Sequence, residues 1–311
     1  MKKLLFSIMV LTIFASCSDD VNDFDVAVNE ITSDSVCVQF EYVPYVFEGA
    51  LDTRASFGDC YDDEDPFDFY FTKGDRFGIC CLDDRSVNIP LCSINEVFDS
   101  GTSKLKNQFK FDNNVRSKME RGKKYVLYYP YFEDYHASLI YCYYDNQFES
   151  TFAGKDYVGK KNFYFSDVFV YDGKNLPSKL SLHSYSSVIC LYVENLEGRY
   201  STIELVNAEG KDVFYKYVVY DCYNTFGEYV NLASEKVDSL PLNLSSLLLN
   251  GDEHYFYLTS YPVTTGEFYI KVTKTNGEEL YSTVLFPSIE MKSGYGYNVE
   301  CTEWTTDCPS L

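Results

Sequence analysis

The sequence predicts an all-β protein arranged as two β-sandwiches in tandem, on three observations. Tyrosine and phenylalanine are abundant, 30 and 24 of 311 residues, and aromatic side chains favour the pleated, half-buried surface of a strand. Apolar and polar residues alternate in one short run after another, the period of a strand with one face inside. Helical periodicity is faint, with Ser245 to Leu249 expected as one short turn.

Taken in order, the runs give the elements. Cys37 to Val43 alternates, and Lys124 to Phe132 is a β-rich run interrupted by Pro130, a residue that cannot donate to a ladder. Phe163 to Tyr171 is similar. Leu180 to Glu194 is long enough for one extended strand or two joined by a bend. Ser201 to Val206, Val213 to Tyr220 and His254 to Tyr261 follow. Glu267 to Lys274 and Glu279 to Phe286 flank Thr275-Asn276-Gly277-Glu278, and Asn-Gly predicts a type I′ hairpin turn with positive φ at both central residues. Phe268, Ile270 and Val272 then share one face. Tyr295 to Thr302 is the last strand. Gly173, Asn175 and Pro177 cluster between Tyr171 and Leu180, which sets the expected boundary between a sandwich of residues 55–175 and one of residues 176–311.

The chain opens with Lys2 and Lys3, an apolar run from Leu4 to Phe14, and Ala15-Ser16 before Cys17. These are the parts of an export signal. The apolar run is shorter than the roughly 20 residues of a spanning helix. An ordinary signal needs no cysteine after its cut, so the expectation is cleavage between Ser16 and Cys17, loss of residues 1–16, and lipidation of the Cys17 sulfur. Acyl chains such as palmitate contribute about 0.8 kcal/mol per buried methylene, so a multiply acylated cysteine holds a protein on a membrane. Ser18-Asp19-Asp20 resembles the surface-export signal of Bacteroidetes lipoproteins, which implies the outer face of the outer membrane.

The leader carries two lysines and no acid, so its loss takes the net charge from −21 to −23. Phosphate backbones require clustered Lys and Arg, and nucleic acid is excluded as a partner. Ten cysteines remain besides Cys17: Cys37, Cys60, Cys80, Cys81, Cys92, Cys142, Cys190, Cys222, Cys301 and Cys308. Export permits disulfides, but a chain of this size does not need them. Cys190 sits in an apolar alternating run, where a buried reduced thiol is expected. No C-x-x-C pair or Cys/His grouping has zinc spacing, and Asp62-Asp63-Glu64-Asp65 lacks the spacing of a calcium loop, so no metal and no cofactor is expected. Only His136, His183 and His254 are available as imidazole bases, without a Gly-x-Ser-x-Gly elbow or a phosphate loop, and no enzyme is expected.

From Ser18 to Thr53 there are nine acidic residues and no Lys or Arg, until Arg54 precedes Ala55-Ser56. A trypsin-like protease meeting an exposed N-terminal segment therefore finds its first site at Arg54-Ala55. The other reading makes Arg54 an ordinary residue of an acidic tether.

Thr53-Arg54-Ala55-Ser56, followed by Phe71-Thr72-Lys73-Gly74-Asp75-Arg76-Phe77-Gly78-Ile79, resembles the start of the fimbrillin-like proteins of Bacteroidetes, where a Thr-Arg-Ala segment precedes a Gly-Asp-x-hydrophobic-Gly motif. Tyr128-Tyr129-Pro130-Tyr131, Leu182-His183 and Gly294-Tyr295-Gly296-Tyr297 match later pieces in the same order. The resemblance implies two transthyretin-like sandwiches, a lipid on Cys17, and removal of residues 17–54 after Arg54 in the members that polymerise into type V pili. Cys37 to Val43 then pairs with the first sandwich until the cut, and a strand from another pilus subunit replaces it.

A donor strand needs roughly 7 to 10 residues, but Thr305 to Leu311 includes Cys308 and Pro309. The expectation is an accessory or tip-type subunit serving adhesion to a host or bacterial surface. The alternative is a surface glycan-binding lipoprotein, with Tyr141, Tyr143, Tyr144 and Trp304 as a stacking platform.

Overall fold

The computed structural model describes residues 34–42, 46–48, 71, 73–94, 104–133, 139–144, 147–148, 163–221 and 235–309. Ser16, Cys17, Arg54, Ala55, Cys60, Cys222, His136 and the acidic loop Asp59 to Asp68 lie outside the described residues. The strands run β1 (Ser35–Tyr42), β2 (Val46–Glu48), β3 (Arg76–Cys81), β4 (Asp84–Cys92), β5 (Lys104–Lys110), β6 (Lys124–Tyr129), β7 (Leu139–Tyr143), β8 (Gln147–Phe148), β9 (Tyr164–Ser166), β10 (Phe169–Val170) and β11 (Lys179–Ser184). They continue with β12 (Ser187–Val193), β13 (Glu197–Asn207), β14 (Phe214–Tyr215), β15 (Tyr217–Asp221), β16 (Lys236–Val237), β17 (Ser239–Asn250), β18 (His254–Ser260), β19 (Phe268–Lys274), β20 (Glu279–Ser282), β21 (Tyr295–Cys301) and β22 (Trp304–Thr305). The single helix among the described residues, α1 (Asn113–Arg116), is capped by Asp112, whose carboxylate accepts from the N–H groups of Asn114 and Val115. The protein is all-β, as the alternation predicts.

The first sheet has the order β4-β3-β6-β9-β11-β1-β5, with β10 on β6. It curls back on itself: Ser93, just past β4, bridges Phe109 of β5, and Ile94 N–H donates to Gln108 O at 2.9 Å. The enclosed first core holds Val38, Phe40, Phe71, Phe77, Phe109, Tyr129, Leu180 and Leu182. In the second half, the sheet β18-β12-β21-β2 faces the sheet β22-β20-β19-β13-β17-β8. Between them lies the second core, with Ile189, Leu191 and Val299 from one side and Ile203, Leu242, Ile270 and Val272 from the other.

A third cluster joins the halves. β7 and β15 pair antiparallel, and their Ile140, Cys142, Val218 and Tyr220 pack on Cys80, Val126, Tyr128 and Phe165 of the first sheet. Successive residues of β6 point to opposite faces and both faces are covered, so Tyr125 through Tyr129 are all buried. Cys80 and Cys81 are explained in the same way: Cys80 enters the third cluster and Cys81 the first core, both as free thiols.

Several elements depart from expectation. Leu180 to Glu194 forms two strands, β11 and β12, joined through Tyr185-Ser186. Because β11 lies in the first sheet, the first core runs past the expected boundary at 175/176 as far as Leu182. Val213 to Tyr220 divides into β14 and β15, which take different partners. The β19–β20 turn is not type I′: Gly277 N–H donates to Lys274 O, Lys274 N–H donates to Glu278 O, and only Gly277 has positive φ, 88°. That is a type I turn closed by a glycine bulge, which spares Asn276 the left-handed region. The inward face Phe268, Ile270 and Val272 is as expected. Ser245 to Leu249 is no helical turn but part of β17, where a register break against Tyr200/Thr202 leaves Ser245 and Ser246 with φ of 48° and 67°. The bulge lets alternation resume with Leu249 inside and Leu248 outside.

Cys190 is fully buried in β12, as its place in an apolar alternating run predicts. Burial pushes the Cys301 thiol up to about 12 and raises those of Cys142 and Cys81, so these groups stay protonated at neutral pH. In the native chain, iodoacetamide is expected to label the exposed Cys37, Cys92 and Cys308 and to leave Cys80, Cys81, Cys142, Cys190 and Cys301 unmodified until denaturant is added. Peptide mass mapping with and without urea reads this directly.

Candidate functional site

The segment upstream of Arg54 is built into the protein at two places. β1 occupies an interior position of the first sheet, antiparallel to β5 from Ser35↔Lys110 to Glu41↔Lys104 and parallel to β11 from Gln39↔Lys179 to Tyr42↔Leu182. β2 then adds to the edge of the second half, parallel to β21, with Val46↔Tyr295, Phe47↔Gly296 and Glu48↔Tyr297 in register.

The alternation Val36, Val38, Phe40 aims one face of β1 into the first core, while Cys37 is exposed. Phe40 meets three rings, each with a centroid 6.0 Å away: Phe77 stacked at 11°, Phe71 edge-on at 66° and Phe109 edge-on at 72°. Phe77 also contacts Phe71 at 4.7 Å, Phe109 at 4.9 Å and Tyr129 at 4.9 Å. Such offset and edge contacts add stabilisation beyond the area they bury.

The motifs behind the sequence resemblance converge on this segment. In Gly74-Asp75-Arg76-Phe77-Gly78, Gly74 takes φ 95° and its N–H donates to Ser93 O, while Phe77 supplies the ring stacked on Phe40. At Gly78 a Cβ would run into the ring of Tyr128, which crosses over it and donates to Asn88 Oδ1 at 2.8 Å. The first and second motifs thus pack on each other, and Tyr129 reaches the Phe77 cluster on the opposite face. Leu182 stands in register with Tyr42 of β1. Tyr295-Gly296-Tyr297 is the stretch that pairs β2. Gly294 turns the chain into that strand with φ 77°, and the Tyr297 hydroxyl accepts from Lys292 N–H and donates to Glu290 O. Tyr125 does the equivalent in the first half, its hydroxyl accepting from Glu120 N–H.

Other predicted groups fall elsewhere. His183 is an exposed surface residue with Nε2 2.8 Å from Asp167 Oδ1. Partial burial works against the Asp167 carboxylate, but hydrogen bonds from His183 and Ser181 outweigh it and hold its pKa below the usual value. The four-residue aromatic platform is not assembled. Tyr144 is fully buried in the third cluster with its hydroxyl near Ser186 Oγ, because alternation from Tyr141 and Tyr143 turns it inward. Trp304 is half-buried against the second core and its Nε1–H donates to Glu194 O. Tyr141 and Tyr143 instead group with Phe132 and Tyr217, at centroid distances of 5.8–6.3 Å. Among the described residues, no group of three or more His, Cys, Asp or Glu side chains is arranged to hold a metal ion, and no helix is long and apolar enough to cross a membrane. Sequence reasoning missed β2, whose Val-Phe-Glu is too short for a period, and the role of Phe109, although Asn107, Phe109 and Phe111 alternate onto one face.

No family model matches the chain, and no curated protein does. Among solved structures, it is similar to a proposed cell adhesion protein from Bacteroides ovatus, with TM-score 0.48 and 12% identity over 85% of this chain and 91% of that one. A proposed cell adhesion protein from Bacteroides uniformis gives 0.43 and 13% over 87% and 95%. A fimbrial assembly protein from Parabacteroides distasonis gives 0.37 and 11% over 87% and 94%.

Truncating Phe40 opens a cavity among three rings, and Phe40→Ala is expected to cost about 3–5 kcal/mol, read from urea denaturation. Gly78→Ala is expected to lower the midpoint as well. Tyr128→Leu, by removing the overlying ring, should restore part of that loss in the double variant, whereas two additive losses would mean that Gly78 and Tyr128 do not constrain one another.

Proposed function

We propose that this chain is a fimbrillin-like surface lipoprotein, anchored through Cys17 and serving adhesion as an accessory or tip-type pilus subunit. In this reading it is an assembly and binding protein without catalytic activity. One observation carries the reading: residues 35–42 and 46–48, all upstream of Arg54, fill one strand place in each half of the protein, and those places are bordered by the motifs Phe77-Gly78, Leu182 and Tyr295-Gly296-Tyr297. Cutting at Arg54-Ala55 severs that segment from the rest of the chain. Its departure leaves unpaired N–H and C=O groups on β5 and β11 and uncovers Phe71, Phe77 and Phe109, a state that a strand from another subunit relieves.

The accessory role is supported by the far end of the described chain. Trp304–Thr305 is already paired with β20, and Trp304 is held by Glu194, so these residues serve their own sheet instead of standing free as a donor.

The test compares the wild-type chain with Arg54→Ala under an arginine-specific protease. Wild type is expected to yield a new N-terminus at Ala55 by mass spectrometry and to enter high-molecular-weight assemblies with partner subunits on sedimentation, while Arg54→Ala stays uncut and unassembled. Assembly by Arg54→Ala to the same extent would overturn the activation step. Fibres containing this chain as their repeating component would overturn the accessory role.

A further inference from the structure

Inside the β1 groove one polar group is left without a partner. Asn107 of β5 is fully buried. Its Oδ1 accepts from Ser93 Oγ at 2.8 Å, while its Nδ2 has no hydrogen-bond partner. Turning the amide over would only exchange the ends: one of them meets Ser93 and the other does not. The residue directly opposite Asn107 across the ladder is Val38 of β1, itself fully buried. Cross-strand partners point to the same face with Cβ atoms about 4.5–5.5 Å apart. The resident strand therefore sets a methyl group beside an amide that wants a hydrogen bond, and a buried polar group in that state is destabilising.

We propose that Asn107 is a selectivity position of the β1 groove, favouring an incoming strand that carries a hydroxyl, Ser or Thr, at the place of Val38. The inference rests on the strand-exchange reading and names the kind of strand that the groove prefers. A hydroxyl is both donor and acceptor, so it satisfies either orientation of the Asn107 amide. Thr matches Val in shape, so the groove admits it without repacking. The resident strand is thereby a poorer occupant than a suitably substituted one, which favours replacement.

Two measurements on the full chain test this. Val38→Thr ordinarily destabilises a core by burying an unpaired hydroxyl; here it is expected to hold or raise the urea midpoint, and to lower it once Asn107→Leu has removed the amide. Equal losses in both backgrounds would overturn the proposal. In the second measurement, fluorescent peptides of Ser33 to Tyr42, wild type and Val38→Thr, are offered to full-length protein cut at Arg54. The Val38→Thr peptide is expected to be captured up to about tenfold more tightly, one hydrogen bond's worth, with the preference lost in Asn107→Leu. Capture of both peptides with equal affinity would overturn the selectivity alone. Capture of neither would overturn the exchange reading, and selection of incoming strands with it, even where the denaturation cycle shows Asn107 and position 38 to be coupled.

Discussion

The first half of the protein depends on one strand having neighbours on both sides. β1 lies between β5 and β11, so its backbone groups complete two ladders, and Phe40 completes a cluster with Phe71, Phe77 and Phe109. An edge strand can fray with modest consequence; an interior one cannot, because it leaves unpaired backbone groups on two neighbours at once, in a sheet that has already curled around its core. The sheet's closure through Ser93 and Phe109 makes the place of β1 a slot with fixed walls.

The short motifs make physical sense from this slot. Gly78 is bare because Tyr128 lies over it, Phe77 stacks on Phe40, and Tyr129 backs Phe77 from β6. In the second half, Gly294 and Tyr297 shape the strand on which β2 lies. Sequence pieces more than two hundred residues apart thus share one requirement, to receive the N-terminal segment. The β7–β15 ribbon adds a second constraint by covering the outer face of β3, β6 and β9, so that the first sheet is packed on both faces.

Most strands were legible because alternation is a local property that one buried face imposes directly. Phe268, Ile270 and Val272 are the plainest case. What failed depended on backbone detail or on distant neighbours. Asn276-Gly277 announces a hairpin, but whether one or both residues take positive φ is decided by strand register. Leu247-Leu248-Leu249 mimics a helical stripe because the two-serine bulge in β17 resets the phase, and nothing in Ser245-Ser246 advertises that. A surface platform of Tyr141, Tyr143 and Tyr144 conflicts with strict alternation, which sends Tyr144 inward. In the candidate site, β1 and the motifs could be read from the sequence, while β2 and the lone amide of Asn107 could not, since both are defined only by what stands across a ladder.

The orientation of β1 also bears on mechanics. Its hydrogen bonds to β5 run across the strand, and those to β11 are slanted but evenly spaced. Tension applied along a strand seated in that slot therefore loads both ladders in shear, so the bonds must yield together instead of peeling one at a time. Pulling on β1 is thus resisted through the geometry of its backbone, with Phe40 acting as a bolt that keeps the strand from sliding.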